Sequence, residues 1–152
     1  MRIVVIDDKL TGMRPCVATI GFFDGVHKGH QFLLDHLVKA AKADGMESTV
    51  ITFDEHPRKV LNQDYQPEML SCLEEKLQLL GKKQVDNCAL LHFDRDMAQL
   101  SAYKFMEKVL RNRLNVRKLY IGYDNKFGHN REEGFDDYVK YGKELGIEVI
   151  RN

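Results

Sequence analysis

The chain has 152 residues, 43% of them hydrophobic and 30% charged, and its 23 basic residues balance 23 acidic ones. That is the size and make-up of one soluble domain with a sizeable core. A zero net charge argues against nucleic acid as a partner, because duplex binders carry a basic bias, so any pull on an anionic ligand has to come from local placement of charge.

In chain order, residues 2–6 (Arg-Ile-Val-Val-Ile) read as a short edge strand or packing arm, followed by a polar turn over 7–12. Residues 17–23 read as a buried strand, since the apolar run is near-continuous rather than alternating. Residues 31–43 are helical, with Phe32, Leu33, Leu34, Leu37, Val38, Ala40 and Ala41 at helical spacing and Gly45 as a stop. The β-branched stretch 48–53 is the next strand, and Pro57 keeps the following turn from becoming helix. Ser71-Cys72-Leu73-Glu74 is a capping-box pattern opening a helix with Leu73, Leu77 and Leu80 on one face and Gly81 at its end.

Residues 87–93 form a third strand of the sheet. Ser101 caps a helix whose apolar face holds Phe105, Met106, Val109 and Leu110, and 116–122 is the fourth strand. Residues 123–133 carry Asn, Gly, His and Arg and read as a loop. Residues 135–145 are helical, with Tyr138 and Tyr141 packing, Gly146 breaks the helix, and 147–150 begins a fifth strand. Strands alternating with helices imply βαβ units and a parallel sheet. The expected fold is a single α/β domain, a Rossmann-like parallel sheet flanked by helices. Neither Gly-x-Gly-x-x-Gly nor the Walker pattern occurs, which removes the dinucleotide oxidoreductases and P-loop NTPases.

Cys16, Cys72 and Cys88 are odd in number and widely spaced. That argues against a disulfide framework and a zinc knuckle and fits a reducing compartment. The start is too soon charged for a signal peptide, and no apolar run approaches membrane-spanning length. The expectation is a cytoplasmic protein with no membrane partner.

The organising stretch is Gly21-Phe22-Phe23-Asp24-Gly25-Val26-His27-Lys28-Gly29-His30. A strand enters it and a helix leaves it. The first turn of a helix has unpaired N–H groups and a partly positive end, so a helix start after a glycine-rich turn is a ready phosphate site. Gly29 lets a ligand lie close against the backbone, and His27 and His30 can each donate a hydrogen bond to a phosphoryl oxygen. Two other readings stay open from the residues alone: a His-x-x-His metal pair, or two solvated histidines. Each strand also runs into a polar cluster at its C-terminal end, the first at 24–30, the second at 54–58, the third at Asp94 and the fourth at 124–131. In open α/β sheets the ligand crevice lies beyond those ends, so the clusters are expected to converge there. His92 and His129 have no supporting spacing.

The ten-residue string resembles the signature of the FMN adenylyltransferase (FAD synthetase) module of bacterial bifunctional riboflavin kinase/FMN adenylyltransferases, in the His-x-Gly-His nucleotidyltransferase superfamily. Further segments resemble that family in order. Thr52-Phe53-Asp54-Glu55-His56-Pro57-Arg58 is similar to its Thr-Phe-x-Pro-His-Pro segment, with Glu55 in place of the first proline. Leu73 to Leu77 is similar to the helix that follows. Phe93-Asp94 with Ala98, Leu100, Ser101 and Phe105 is similar to its Phe-x-x-x-x-Ala-x-Leu-Ser segment. The stretch from Gly122 through Asp124, Phe127, Gly128 and Arg131 to Gly134 resembles Gly-x-Asp-Phe-Arg-Phe-Gly-x-x-Arg-x-Gly, with Asn125 for an aromatic, Lys126 for an arginine, and the last glycine one position late.

The resemblance implies transfer of AMP from ATP to the phosphate of FMN, giving FAD and pyrophosphate, with Mg²⁺ arriving on ATP and no metal ligands assigned in the chain. It implies that His27 and His30 act on the ATP phosphates as the catalytic pair, with Gly21, Phe23, Asp24, Gly25 and Gly29 completing the ATP side. It implies a flavin side built from Phe53, His56, Pro57, Arg58, Asp124, Lys126, Phe127 and Arg131, Asp124 foremost. The family pattern continues with a Ser-Ser-Thr-x-Ile-Arg segment on the ATP phosphates and then a riboflavin kinase domain. The chain, residues 1–152, is therefore expected to be the amino-terminal part of a longer enzyme. The competing readings are a nucleotide- or flavin-binding fragment without activity of its own, and a related nucleotidyltransferase with another phosphate acceptor.

Overall fold

The computed structural model describes residues 1–21, 28–53, 73–92, 94–121 and 134–151. Its elements, in order, are β1 (Arg2–Val5), β2 (Cys16–Ile20), α1 (Lys28–Ala43), β3 (Glu47–Phe53), α2 (Leu73–Lys82), β4 (Asn87–Leu91), α3 (Arg95–Gln99) and α4 (Ala102–Phe105). A π-helical segment (Met106–Arg113) continues α4, and β5 (Val116–Ile121), α5 (Phe135–Leu145) and β6 (Glu148–Arg151) follow. The strands form one sheet in the order β1-β4-β3-β2-β5-β6, and every pairing is parallel. The Rossmann-like α/β reading holds.

Side chains alternate across a strand, and the sheet buries both faces. Cys16, Ala18 and Ile20 of β2 join Ile51, Leu91, Leu119, Ile121 and Val149 on one face, where Phe105, Met106, Leu110 and Tyr138 pack. Val17, Val50, Cys88 and Tyr120 meet Leu34, Leu37 and Val38 of α1 and Leu80 of α2 on the other. Each fully buried leucine contributes about 1.5–3 kcal/mol relative to exposure. Helix ends are closed locally. Ser101 Oγ accepts from Lys104 N at 3.2 Å, and Asp137 Oδ2 accepts from Gly134 N at 2.9 Å. Gly146 ends α5 in the left-handed region at φ 77°.

The amino ends of the strands are tied together by polar side chains. Asp86 Oδ2 accepts from Ser48 N at 2.9 Å, and Ser48 Oγ accepts from Asp86 N at 2.9 Å. Asn87 Nδ2 donates to Glu47 Oε1 at 3.0 Å and to Thr49 Oγ1 at 3.3 Å. Lys118 Nζ lies 2.6 Å from Asp44 and 3.8 Å from Glu148. The hydrogen bond to Asp44 holds the Lys118 ammonium charged above its usual range.

Four local details differ from the periodicity reading. α1 begins at Lys28, three residues before the expected start at Gln31. α2 runs past Gly81 to Lys82, and the left-handed stop falls on Gln84 at φ 63°. Phe32, placed on the apolar stripe by spacing, is 74% exposed, because the buried stripe centres on Leu34, Leu37 and Ala41. The five-residue α3 was not expected; Asp94 caps it, its Oδ1 accepting from Met97 N at 2.7 Å.

Two glycines give opposite expectations. A methyl group at Gly142 would strike the Ile147 carbonyl oxygen and come within 2.9 Å of Val149 Cγ2. Gly142→Ala is expected to cost about 3 kcal/mol by overpacking. Nothing lies within 4 Å of the corresponding position at Gly81, and Gly81→Ala is expected to stabilise by roughly 0.5–1 kcal/mol. Urea unfolding of the two variants checks both signs.

Burial pushes the Cys16 thiol up from 9.0 to about 11. Below the lower value both states keep the proton. Between the two, only the unfolded chain ionises, so stability falls as pH rises. The wild-type chain should lose more stability than Cys16→Ala between about pH 8 and about pH 10.5, read as the shift in urea midpoint.

Candidate active site

The strand order reverses beside β2. From β2 the chain proceeds through β3 to β4 on one side; β5, paired with the opposite edge of β2, then leads to β6. The helices change faces with it: α1 and α2 cover one face, while α4, the π-helical segment and α5 cover the other. After β2 the chain goes to α1, and after β5 to α5, so the two exits diverge to opposite faces. Such a switch point opens a crevice beyond the carboxyl ends of the strands. β2 and β5 lie side by side there, in register Thr19↔Tyr120, about 4.8 Å apart. The buried Thr19 hydroxyl donates to the Tyr120 carbonyl at 2.8 Å and fastens the pair.

Gly21 extends β2 by one rung, its N–H donating to Ile51 O at 3.0 Å. Gly29 and His30 lie in the first turn of α1, and His30 is half-buried with Nδ1 shielded from solvent. That turn holds no acidic residue, so its partial positive charge is not offset by a carboxylate of its own. The first turn of α5 contrasts with it, carrying Asp136 and Asp137. Phe53 closes β3, half-buried against the cluster that contains Ile20 and Ile121. Four of the predicted site residues, Gly21, Gly29, His30 and Phe53, therefore gather at the carboxyl edge of β2 and β3. Phe23, Asp24, Gly25, His27, His56, Pro57, Arg58, Asp124, Lys126, Phe127 and Arg131 lie outside the described residues.

Asp94 reads from sequence as one of the converging polar clusters, but its carboxylate is engaged in capping α3. Tyr138 is buried in the core, and Tyr141 meets Tyr103 edge-on at 5.5 Å, so both pack as expected. Arg151 was not singled out. It ends β6 beside Ile121, with its guanidinium 4.5 Å from the centre of the Phe135 ring. A lone arginine in a strand carries no motif, and only the strand order brings it to this edge.

The family model of FAD synthetase matches residues 10–152. The chain belongs to the FAD synthetase family. It is 37% identical over 134 residues to the bifunctional riboflavin kinase/FMN adenylyltransferase of Escherichia coli (strain K12), an alignment covering 88% of this chain and 43% of that protein. Against the Haemophilus influenzae protein of the same name it is 37% identical over 140 residues, covering 92% and 46%. The chain thus spans less than half the length of these curated relatives. Among solved structures, a crystal structure of a macrolide-efflux protein from Streptococcus pneumoniae superposes with a TM-score of 0.86 at 28% identity, covering all of this chain and 58% of that one. A universal stress protein from Archaeoglobus fulgidus shares the fold alone, with a TM-score of 0.51 and 12% identity.

No helix among the described residues is long and apolar enough to cross a membrane. Nor does any group of three or more His, Cys, Asp or Glu among them stand ready to hold a metal ion. A cap and a ligand-binding group predict different phenotypes for Asp94. Asp94→Ala should lower stability by about 1 kcal/mol and leave ATP affinity unchanged, as measured by urea unfolding alongside calorimetric titration.

Proposed function

We propose that the chain transfers AMP from ATP to the phosphate of FMN, releasing pyrophosphate and forming FAD, with Mg²⁺ entering as part of the ATP substrate. The observation that carries this reading is topological. The switch point between β2 and β5 falls at the two strands that lead into the two signature segments, residues 21–30 and 122–134. The relatives named as FMN adenylyltransferases support the same reaction.

The chemistry asks little of a base, because the attacking FMN phosphate oxygen is already an anion. The barrier lies in bringing two anions together and in the charge that develops around the α-phosphorus. Positioned donors in a preorganised site lower such a barrier. In this reading the α1 N–H groups and the imidazoles of His27 and His30 donate to the ATP phosphates, and Gly29 leaves room for the adenosine. Phe23, Asp24 and Gly25 shape the approach. Phe53, His56, Pro57, Arg58, Asp124, Lys126, Phe127 and Arg131 form the flavin side, and a riboflavin kinase part belongs to the longer protein.

The test is a product assay with ATP, Mg²⁺ and FMN. Formation of FAD and pyrophosphate is expected. Binding of ATP without turnover would instead support a binding fragment, and turnover with a different acceptor would support another nucleotidyltransferase. In whichever form of the protein is active, His30→Ala should slow AMP transfer by about 100-fold or more, with a far smaller effect on the thermal midpoint. Unchanged turnover would refute the assigned role.

A further inference from the structure

Opposite the crevice, at the amino ends of β2 and β5, an open cleft of about 390 Å³ is lined by Gly12, Met13, Arg111, Asn112, Arg113 and Asn115. Its guanidinium groups are held by neutral acceptors. Arg111 Nε donates to Leu145 O at 3.0 Å and Nη1 to Asn115 Oδ1 at 2.9 Å. Arg113 Nη1 donates to Asp8 O at 2.9 Å. Among the described residues, the carboxylate paired with either arginine is that of Asp8, 3.8 Å from Arg113 Nη2 and fully exposed. Water screens such a pair to little effect. A guanidinium has five N–H donors in a rigid fork, so these bonds leave part of each fork uncommitted.

The walls are also braced. Asn115 sits in the left-handed region at φ 57°, and its Nδ2 donates to Met13 O at 3.0 Å. That bond joins the turn before β2 to the end of the π-helical segment, while Asn115 Oδ1 fixes Arg111. Arginines at the carboxyl end of a helix offset its dipole, but that end is equivalent to only about half a negative charge. Two guanidinium groups exceed what the dipole requires. The volume is at the small end for ligand sites, and the polar lining suits an anion rather than an apolar molecule. Arginine forks match phosphate oxygens two at a time.

We propose that this cleft binds a small phosphate-bearing anion, apart from the nucleotide crevice, with Arg111 and Arg113 as its charged contacts. The test titrates inorganic phosphate into the ¹⁵N-labelled chain, with sodium chloride of matched ionic strength as control. The Arg111 and Arg113 side-chain N–H signals and the Gly12 amide should shift along a saturating curve in phosphate but not in chloride. Arg113→Gln should weaken the effect by about tenfold while the rest of the spectrum stays in place. Because Arg111 also supports the fold, Asn112→Asp is the second variant; a carboxylate on the exposed wall should abolish saturation. Non-saturating shifts, equal shifts in chloride, shifts confined to signals near His30, or an unaffected Arg113→Gln would each overturn the proposal.

Discussion

β2 has no side that faces water. All five of its residues are buried, and it pairs in parallel with β3 on one edge and β5 on the other. A strand enclosed on both faces and both edges can offer the solvent only its ends. Parallel pairing puts the carboxyl ends of its neighbours level with its own, so whatever leaves β2 leaves into a shared rim. The reversal of strand order occurs at this strand, the place where open α/β sheets put their ligand crevice. This enclosure supports the proposed phosphate site at residues 21–30 as much as the residues themselves do.

The two ends of the sheet are built differently. At the amino end, Ser48, Asp86, Asn87, Glu47 and Thr49 satisfy one another, and Lys118 sits between Asp44 and Glu148. Groups that consume each other's hydrogen-bonding capacity stabilise the fold and have little left for a ligand. Arg111 and Arg113 break that pattern, since their described partners are carbonyl and amide oxygens and one solvated carboxylate. The mismatch between charge present and charge neutralised distinguishes the cleft from the rest of that end.

The strands were legible because buried strands favour apolar and β-branched residues: residues 16–20 are mostly apolar, 48–53 are rich in Thr, Val and Ile, and 119–121 are apolar. Ser101 and Gly146 marked helix ends by side-chain and backbone chemistry that acts locally. Pairing order was not legible, because an apolar run specifies burial and not which neighbour does the burying. The π-helical stretch was hidden for a related reason: Phe105, Met106, Val109 and Leu110 line a face in either kind of helix. A five-residue helix such as α3 is too short to show a period. Around the candidate site, the passage from strand to helix was readable, because an apolar run enters the motif and helical spacing leaves it. The cleft at Arg111 was not, since its walls come from residues about a hundred positions apart in the chain.

A chain with no net charge can still attract anions if its charge is unevenly offset. Two helices leave the switch-point strands, and they treat their amino ends differently. α5 begins with Asp136 and Asp137, and the Asp137 carboxylate accepts from the backbone at Gly134, so the positive end of that helix is neutralised by its own side chains. The first turn of α1 contains Lys28, Gly29 and His30 and no acid. Among the described residues, one helix end is offset by its own acids and the other has none in its first turn. The asymmetry favours phosphate at α1 and leaves the α5 side to groups that do not depend on the helix dipole. On the β5 side, the described residues place the Arg151 guanidinium over the Phe135 ring, in register with Ile121.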